Sequence, residues 1–219
     1  MATFKEMQDR INLDYLNRTD LNAETKRAII RAIKHYEKER FWFNLTATAV
    51  AIGTASTTVA IPTDFLAMDF ATVAVDGNQQ VLTIRSFDRI AYQNKTGASG
   101  VPTEICYWRD GLAFAPKPSS VTSITLHYTF SLPTLSADSD TNGWTSACED
   151  LIVFRATYDM MANVLRVGDA STLESYKSME MEAFKMIQFG NDMRQGSGME
   201  GAVTGSNQGQ SPKIPHKPT

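Results

Sequence analysis

The chain has 219 residues, 42% of them apolar and 21% charged, with a formal charge of −3. That leaves room for one large or two smaller domains around a sizeable core, and the composition is that of an ordinary globular protein. No basic surplus points to nucleic acid, no run approaches the roughly 18 apolar residues of a membrane helix, and Met1 to Glu6 lacks the pattern of a secretory signal.

Residues 1–44 read as helical. Thr3 followed by Glu6 has capping-box spacing, and Met7, Ile11 and Leu13 or Tyr15 repeat near the helical period. After a polar break from Asn17 to Asn22, a second helix is expected from about Ala23. Ile29, Ile33, Tyr36 and Arg40 share one side of it, and Lys26, Arg27, Arg31, Lys34, Glu37 and Lys38 populate the rest. The helix runs into Arg40-Phe41-Trp42-Phe43-Asn44. Three consecutive aromatics cannot share one helix face, so this step is a junction between layers and a candidate interface.

Residues 45–132 read as β structure. Thr and Val are dense from Thr46 to Ile61, with a turn near Gly53 and a stop at Pro62. Asp76-Gly77-Asn78 and Asp110-Gly111 are hairpin signals between strand-like runs. Ser86 to Gln93 has the pattern of a short helix. Ile124, Leu126, Tyr128 and Phe130 alternate with Thr125, His127 and Thr129, the period of a half-buried strand.

Residues 133–194 begin with a polar loop and return to helix. Thr145 or Ser146 caps a stripe of Leu151, Phe154, Tyr158, Met161 and Leu165, and Gly168 ends it. Tyr176, Met179, Ala183, Met186 and Ile187 then recur at helical spacing, which implies an antiparallel hairpin. Residues 195–219 are rich in Gly, Ser, Asn and Gln and close on Pro212-Lys213-Ile214-Pro215-His216-Lys217-Pro218. This composition cannot build a core, so an extended tail that docks on a partner is expected.

Motifs that carry chemistry are nearly absent. His35, His127 and His216 have no second ligand at metal spacing, and Cys106 and Cys148 form no CxxC pair and read as buried, reduced thiols. Gly196-Ser197-Gly198-Met199-Glu200-Gly201 matches GxGxxG but does not follow a strand. Asp138, Asp140, Asn142 and Glu149 match an EF-hand loop in spacing, without an entering helix and with few oxygen ligands between Trp144 and Cys148; a polar turn leading to a helix cap is the favoured reading. No cofactor, metal or catalytic residue is expected.

The order of zones gives an α+β fold: a four-helix bundle formed by the N- and C-terminal helices, an inserted β-sandwich or barrel-like module, and an extended C-terminal tail. This order resembles the adaptor family of tailed-phage connectors, which includes tail tubular protein A of short-tailed phages. The resemblance is carried by Arg40-Phe41-Trp42-Phe43-Asn44, by Val101-Pro102-Thr103 with Leu112-Ala113-Phe114-Ala115-Pro116, by Leu126-His127-Tyr128-Thr129 with Leu132-Pro133-Thr134-Leu135-Ser136, and by Asn142-Gly143-Trp144 with Cys148 to Val153. It implies a non-enzymatic neck protein made in the host cytoplasm. Such a protein forms a ring, usually dodecameric, between the portal and the tail nozzle or tube, and double-stranded DNA passes through it. Arg40, Phe41, Trp42, Phe43, Met193, Arg194 and Pro212 to Lys217 are the expected interface residues. The alternatives are a tail-completion or tail-terminator protein, and a carbohydrate-binding receptor module using Tyr107, Trp108 and Tyr128.

Overall fold

The capping box at Thr3 and Glu6 is formed: the Glu6 N–H donates to Thr3 Oγ1 at 3.2 Å and the Thr3 N–H to Glu6 Oε2 at 2.7 Å. It opens helix α1 (Phe4–Asp9), which widens into a π-helical stretch at Arg10–Tyr15. The structure, a computed structural model, describes residues 2–75 and 77–203. A distant loop holds the start of α1: the Phe4 and Lys5 N–H groups donate to the carbonyls of Asp140 and Asp138, each at 2.9 Å. Helix α2 (Asn22–Tyr36) buries Thr25, Ala28, Ile29, Ala32 and Tyr36. Its polar contact with the π-helical stretch is satisfied, since the Thr25 hydroxyl donates to Asn12 Oδ1 at 2.6 Å.

The middle of the chain forms two four-stranded sheets. The first has the order β1 (Leu45–Ile52), β8 (Thr122–Phe130), β3 (Phe65–Val75), β4 (Asn78–Val81), all antiparallel. The second has the order β2 (Thr58–Ala60), β7 (Gly111–Ala115), β6 (Glu104–Trp108), β5 (Thr83–Ile84), with β5 and β6 parallel. Both hairpin signals are used. Val75 faces Asn78 across a turn whose Gly77 has φ +81°, a value glycine adopts without strain, and Trp108 faces Gly111. The strand-like run after the first of these turns, Val81 to Ile84, is divided: Val81 pairs in the first sheet, Leu82 turns into the core, and Thr83 pairs in the second.

The two sheets face each other across one hydrophobic core. Ile52, Val73, Ile124 and Leu126 come from the first sheet, and Ile105, Leu112 and Phe114 from the second. Each such side chain contributes about 1.5–3 kcal/mol on burial. Helix α3 (Phe87–Thr96) covers the outer side of the second sheet, with Ile90 against Cys106, Ala113 and Ala115. That is why β7 reads as a continuous apolar run, whereas β8, covered on one face, alternates.

The remaining helices are α4 (Gly143–Ala147), α5 (Glu149–Asp159), prolonged by a π-helical stretch at Met160–Leu165, and α6 (Ala170–Val203). They do not make the expected four-helix bundle. A bundle needs helices of matched length packed side by side along their lengths. Here α6 has 34 residues and α2 has 15, while α1 has 6 before its π-helical widening. At 1.5 Å per residue, α6 is about 51 Å long and outruns every neighbour. Helix α5 is the centre, touched by α2, the first π-helical stretch and α6. Aromatics from the loops and α4, not a fourth long helix, complete the core: Phe41, Phe43 and Trp144. Helix α6 also continues past Arg194, where the composition led us to expect an extended tail; residues 204–219 lie outside the described residues.

Gly143 sits where this aromatic group is tightest. A Cβ there would lie 2.5 Å from Phe43 Cδ2 and 3.1 Å from Leu132 Cδ1. Phe43 is held by Phe41, Trp42 and Trp144 and has no room to yield. Gly143→Ala is expected to destabilise the chain by about 1–3 kcal/mol through overpacking. An unchanged urea midpoint would show that the Phe43 ring moves freely.

Candidate interaction surface

The turn that follows α2 is built by Asn44. This residue is 1% exposed. Its Oδ1 accepts from the Phe41 N–H at 2.8 Å, and its Nδ2 donates to the Glu39 carbonyl at 2.9 Å. The turn splits the three aromatics. Phe41 and Phe43 stack with ring centroids 5.3 Å apart and enter the helical core, while half-buried Trp42 points to α6 and lies against Gly190. The Arg194 guanidinium sits 4.3 Å from the Trp42 ring centroid, a cation–π arrangement. Nearby, Asn191 Nδ2 donates to the Arg40 carbonyl at 3.1 Å, and the Arg40 side chain pairs with Asp69 of β3 at 3.1 Å. One turn therefore ties α6 on one side and the first sheet on the other.

A second lock fixes the rotation of α6. Glu180 is 7% exposed and accepts from the Tyr36 hydroxyl and from Arg155 Nη1, the latter at 3.3 Å. Burial, and then the hydrogen bond to Glu180, push the Tyr36 hydroxyl well above its ordinary range. Tyr176 meets Tyr15 edge-on and Phe184 stacks on Tyr36.

With that side turned inward, another set of apolar residues is left outside. Met181, Met186, Phe189 and Met193 are each 60–68% exposed. Met179, Met186 and Met193 recur every seven residues, and a straight helix drifts only about 20° per heptad, so they form one stripe. Beside it, between the start of α5 and α6, lies a groove of about 660 Å³. Trp42, Leu151, Phe154, Met179 and Ile187 line it, and Glu149, Asp150 and Glu182 add carboxylates. Arg10 reaches Glu149 at 3.0 Å and Asp150 at 2.6 Å, so two of the three carboxylates meet one guanidinium. Cys148 also lines the groove. Burial pushes its thiol up to about 12, so it is a neutral wall and not a nucleophile. Large exposed apolar patches mark contact surfaces more than solvent-facing ones.

A family model described as SU10 adaptor protein matches residues 2–203. The chain belongs to that family. The SU10 adaptor protein family is a family of phage structural adaptors and not one of enzymes. No curated protein matches the chain.

In this SU10 adaptor protein family member, the expected interface residues separate. Phe41, at 1% exposure, is spent in the core, and Phe43 packs beside it. Arg40, Trp42 and Arg194 gather where the turn meets α6, and Met193 is exposed on the outer stripe. Pro212, Lys213, Ile214, Pro215, His216 and Lys217 lie outside the described residues. Helical spacing groups Met186 with Ala183 and Ile187, which pack against the helical core. Met186 itself is 68% exposed, and the heptad spacing Met179-Met186-Met193 was the available signal.

Other candidate sites of the adaptor are taken up by packing. In the EF-hand-like loop, Asp138 pairs with Lys26 at 2.7 Å, and Asp140 accepts from the Ser136 and Ala137 N–H groups at 2.7 and 2.8 Å. Asn142 caps α4 and Glu149 pairs with Arg10, so the four side chains point to four different protein partners. His127 stacks on Phe70 and His35 meets Tyr36 edge-on. The GxGxxG stretch lies within α6, not between a strand and a helix. Tyr128 is buried, whereas Tyr107 and Trp108 stay partly exposed; the Tyr107 hydroxyl accepts from the Met68 N–H, and Trp108 stacks face to face on Phe87.

Proposed function

We propose that the protein is a tail tubular protein A-like head-to-tail adaptor in the phage neck. Copies form a ring, expected to be dodecameric, that joins the portal to the tail nozzle or tube and lets double-stranded DNA pass. The observation that carries this reading is the exposed stripe of Met186, Phe189 and Met193 at the edge of an apolar groove on the same helix. A ring requires two different patches on each copy, one for each neighbour. The stripe is the first. Methionines suit such a contact because they repack against varied partners.

The α2 surface fits a channel that DNA passes without arrest. Arg27 and Lys34 are exposed, but Lys26 is paired with Asp138 and Arg31 with Asp159. Partial neutralisation limits the number of phosphates held at once, and each phosphate contact adds to affinity.

The test is to mix the purified protein with its phage's portal and image the product by negative stain, using the natural chain and Met186→Asp. The natural chain is expected to add a ring to the portal. Met186→Asp should abolish that addition and leave the unfolding midpoint nearly unchanged, because the residue is on the surface. A variant that adds a ring as well as the natural chain would remove the stripe from the interface. Addition to a tail-tube ring but not to the portal would make the protein a tail terminator instead.

A further inference from the structure

We infer that strand β4 of one copy adds to strand β1 of the next, so that the first sheet runs on from copy to copy. This inference rests on the ring proposed above and gives it a backbone contact. Among the described residues, β1 and β4 are the two edges of the first sheet, each paired on one side only. An unpaired edge offers a row of N–H and C=O groups to another strand, and chains that stay apart blunt it with short strands, charges, proline or bulges. The edges of the second sheet are short, with three residues in β2 and two in β5. Strand β1 has no such protection. Its eight residues, Leu45-Thr46-Ala47-Thr48-Ala49-Val50-Ala51-Ile52, hold no charge and no proline, and they pair with β8 in unbroken register.

The ladders fix which groups are free. The Phe130 N–H donates to the Asn44 carbonyl at 2.9 Å, one step before Leu45 opposes Thr129. Bonded and non-bonded pairs alternate along an antiparallel ladder, so Thr46, Thr48, Val50 and Ile52 bond to β8. The N–H and C=O groups of Ala47, Ala49 and Ala51 face the open edge. On the other side, the Leu82 N–H donates to the Ala71 carbonyl at 2.8 Å. The same alternation gives Gln80 and Asn78 to β3 and turns the backbone groups of Gln79 and Val81 outward.

Two geometric conditions decide whether these edges can join, and both are met. The first is direction. Each strand from β1 to β4 runs opposite to its neighbour, so β4 is antiparallel to β1, and copies in the same orientation meet in an antiparallel step. The second is face, because bonded residues of such a pair carry their side chains on one side of the sheet. Ala47, Ala49 and Ala51 are exposed, while Val50 and Ile52 pack into the core between the sheets. Gln79 and Val81 oppose Ala74 and Thr72, and Val73 between those two enters the same core. Both outward sets therefore lie on the face away from the second sheet, and a joined sheet keeps every core on one side. Val81, 61% exposed, would lie beside alanines small enough to leave it room. Pairing of β1 with a second β1 closes a two-fold dimer, whereas a ring needs two different edges.

Cysteine cross-linking tests this, since bonded residues across an antiparallel pair have Cα atoms about 5.5 Å apart, within disulfide reach. Cys106 and Cys148 are buried and stay in place. Ala47→Cys, Ala49→Cys and Ala51→Cys are each mixed with Gln79→Cys on the portal, oxidised and run on a non-reducing gel. Dimers are expected from at least one mixture and from no single preparation. Dimers from an alanine variant alone would show β1 meeting its own kind and overturn the inference. Their absence from all three mixtures overturns it as well, and if a ring has still formed on the portal the adaptor reading stands. Dimers from a mixture that adds no ring to the portal keep the strand pairing and sink the adaptor reading. In a second experiment, Ala47→Pro and Ala49→Pro each remove an outward N–H and leave the β8 ladder whole, which an edge strand tolerates. Any two successive outward residues of β1 from Leu45 to Ala51 include one of these, so at least one variant should lose ring addition with its urea midpoint little changed. Thr48→Pro breaks the ladder itself and should lower the midpoint. Two folded variants that both add a ring like the natural chain would overturn the inference.

Discussion

Trp144→Ala is expected to cost about 3–5 kcal/mol, the range for removing a large aromatic from a packed core. Trp144 is 2% exposed. It meets Phe41 and Phe43 edge-on at 5.7 and 5.1 Å. Its position is fixed from below, because Asn142 Oδ1 accepts from the Trp144 N–H at 2.9 Å while Asn142 Nδ2 donates to the Pro133 carbonyl at 2.9 Å. The capped turn cannot collapse into the void, so most of the cavity should persist. Against a total stability of about 5–15 kcal/mol, this is a large fraction. The loss reaches the interaction surface as well. Phe41 and Phe43 hold the turn that aims Trp42 at Gly190 and Arg194 of α6. Urea unfolding gives the stability change, and portal binding at a temperature where the variant is still folded gives the functional one. A cost under about 1 kcal/mol would mean that the aromatic group repacks. Trp144→Phe should recover part of the loss.

What was legible in the sequence was local. The capping box at Thr3 and Glu6, the two glycine turns and the alternation of β8 each depend on a few neighbouring residues, and all are present. The pairing of helices was not legible. A count of apolar stripes gives the number of helices but not their relative lengths, and the mismatch between α6 and α2 removes the bundle. The division of Val81 to Ile84 between two sheets was hidden for the same reason, since a short β-prone run carries no record of which partner each residue meets. The glycines from Gly196 to Gly201 each disfavour helix by about 1 kcal/mol relative to alanine, so composition pointed to an extended tail where the helix continues to Val203.

The interaction surface was half legible. The split of Phe41, Trp42 and Phe43 between layers follows from helix geometry, although Phe41 proved to belong wholly to the core. The outer face of α6 could not be assigned from pattern. Met179, Ala183, Met186 and Ile187 lie close together around the helix, and Phe184 and Phe189 fall on opposite sides of that group. A helix that is apolar nearly all round does not state which side is buried. That information is carried by two buried polar residues: Glu180, whose partners lie on two other helices, and Asn191, which holds the Arg40 carbonyl.

Glu180→Ala is accordingly expected to be the second large effect, about 2–4 kcal/mol. Breaking a buried pair by removing one partner costs about 3–5 kcal/mol, because the other is left buried and uncompensated. Arg155 has a side chain about a third exposed and can turn partly to water, which trims that figure. Tyr36, at 8% exposure, has no such escape, and its hydroxyl loses its acceptor. Glu180→Gln keeps an acceptor for Tyr36 and nearly the same volume, so it should cost about half as much. The difference between the two variants isolates the charge. Combining Glu180→Met with Tyr36→Phe and Arg155→Met removes every polar partner at once and should recover most of the stability, since an apolar replacement leaves no group unsatisfied. Ring formation separates the two roles of the site. If Glu180 sets the rotation of α6, the triple variant should regain most of the natural stability yet add to the portal less well, because an apolar contact fixes the outer methionines less firmly than a directed hydrogen bond. Full recovery of both stability and assembly would show that packing alone orients the helix.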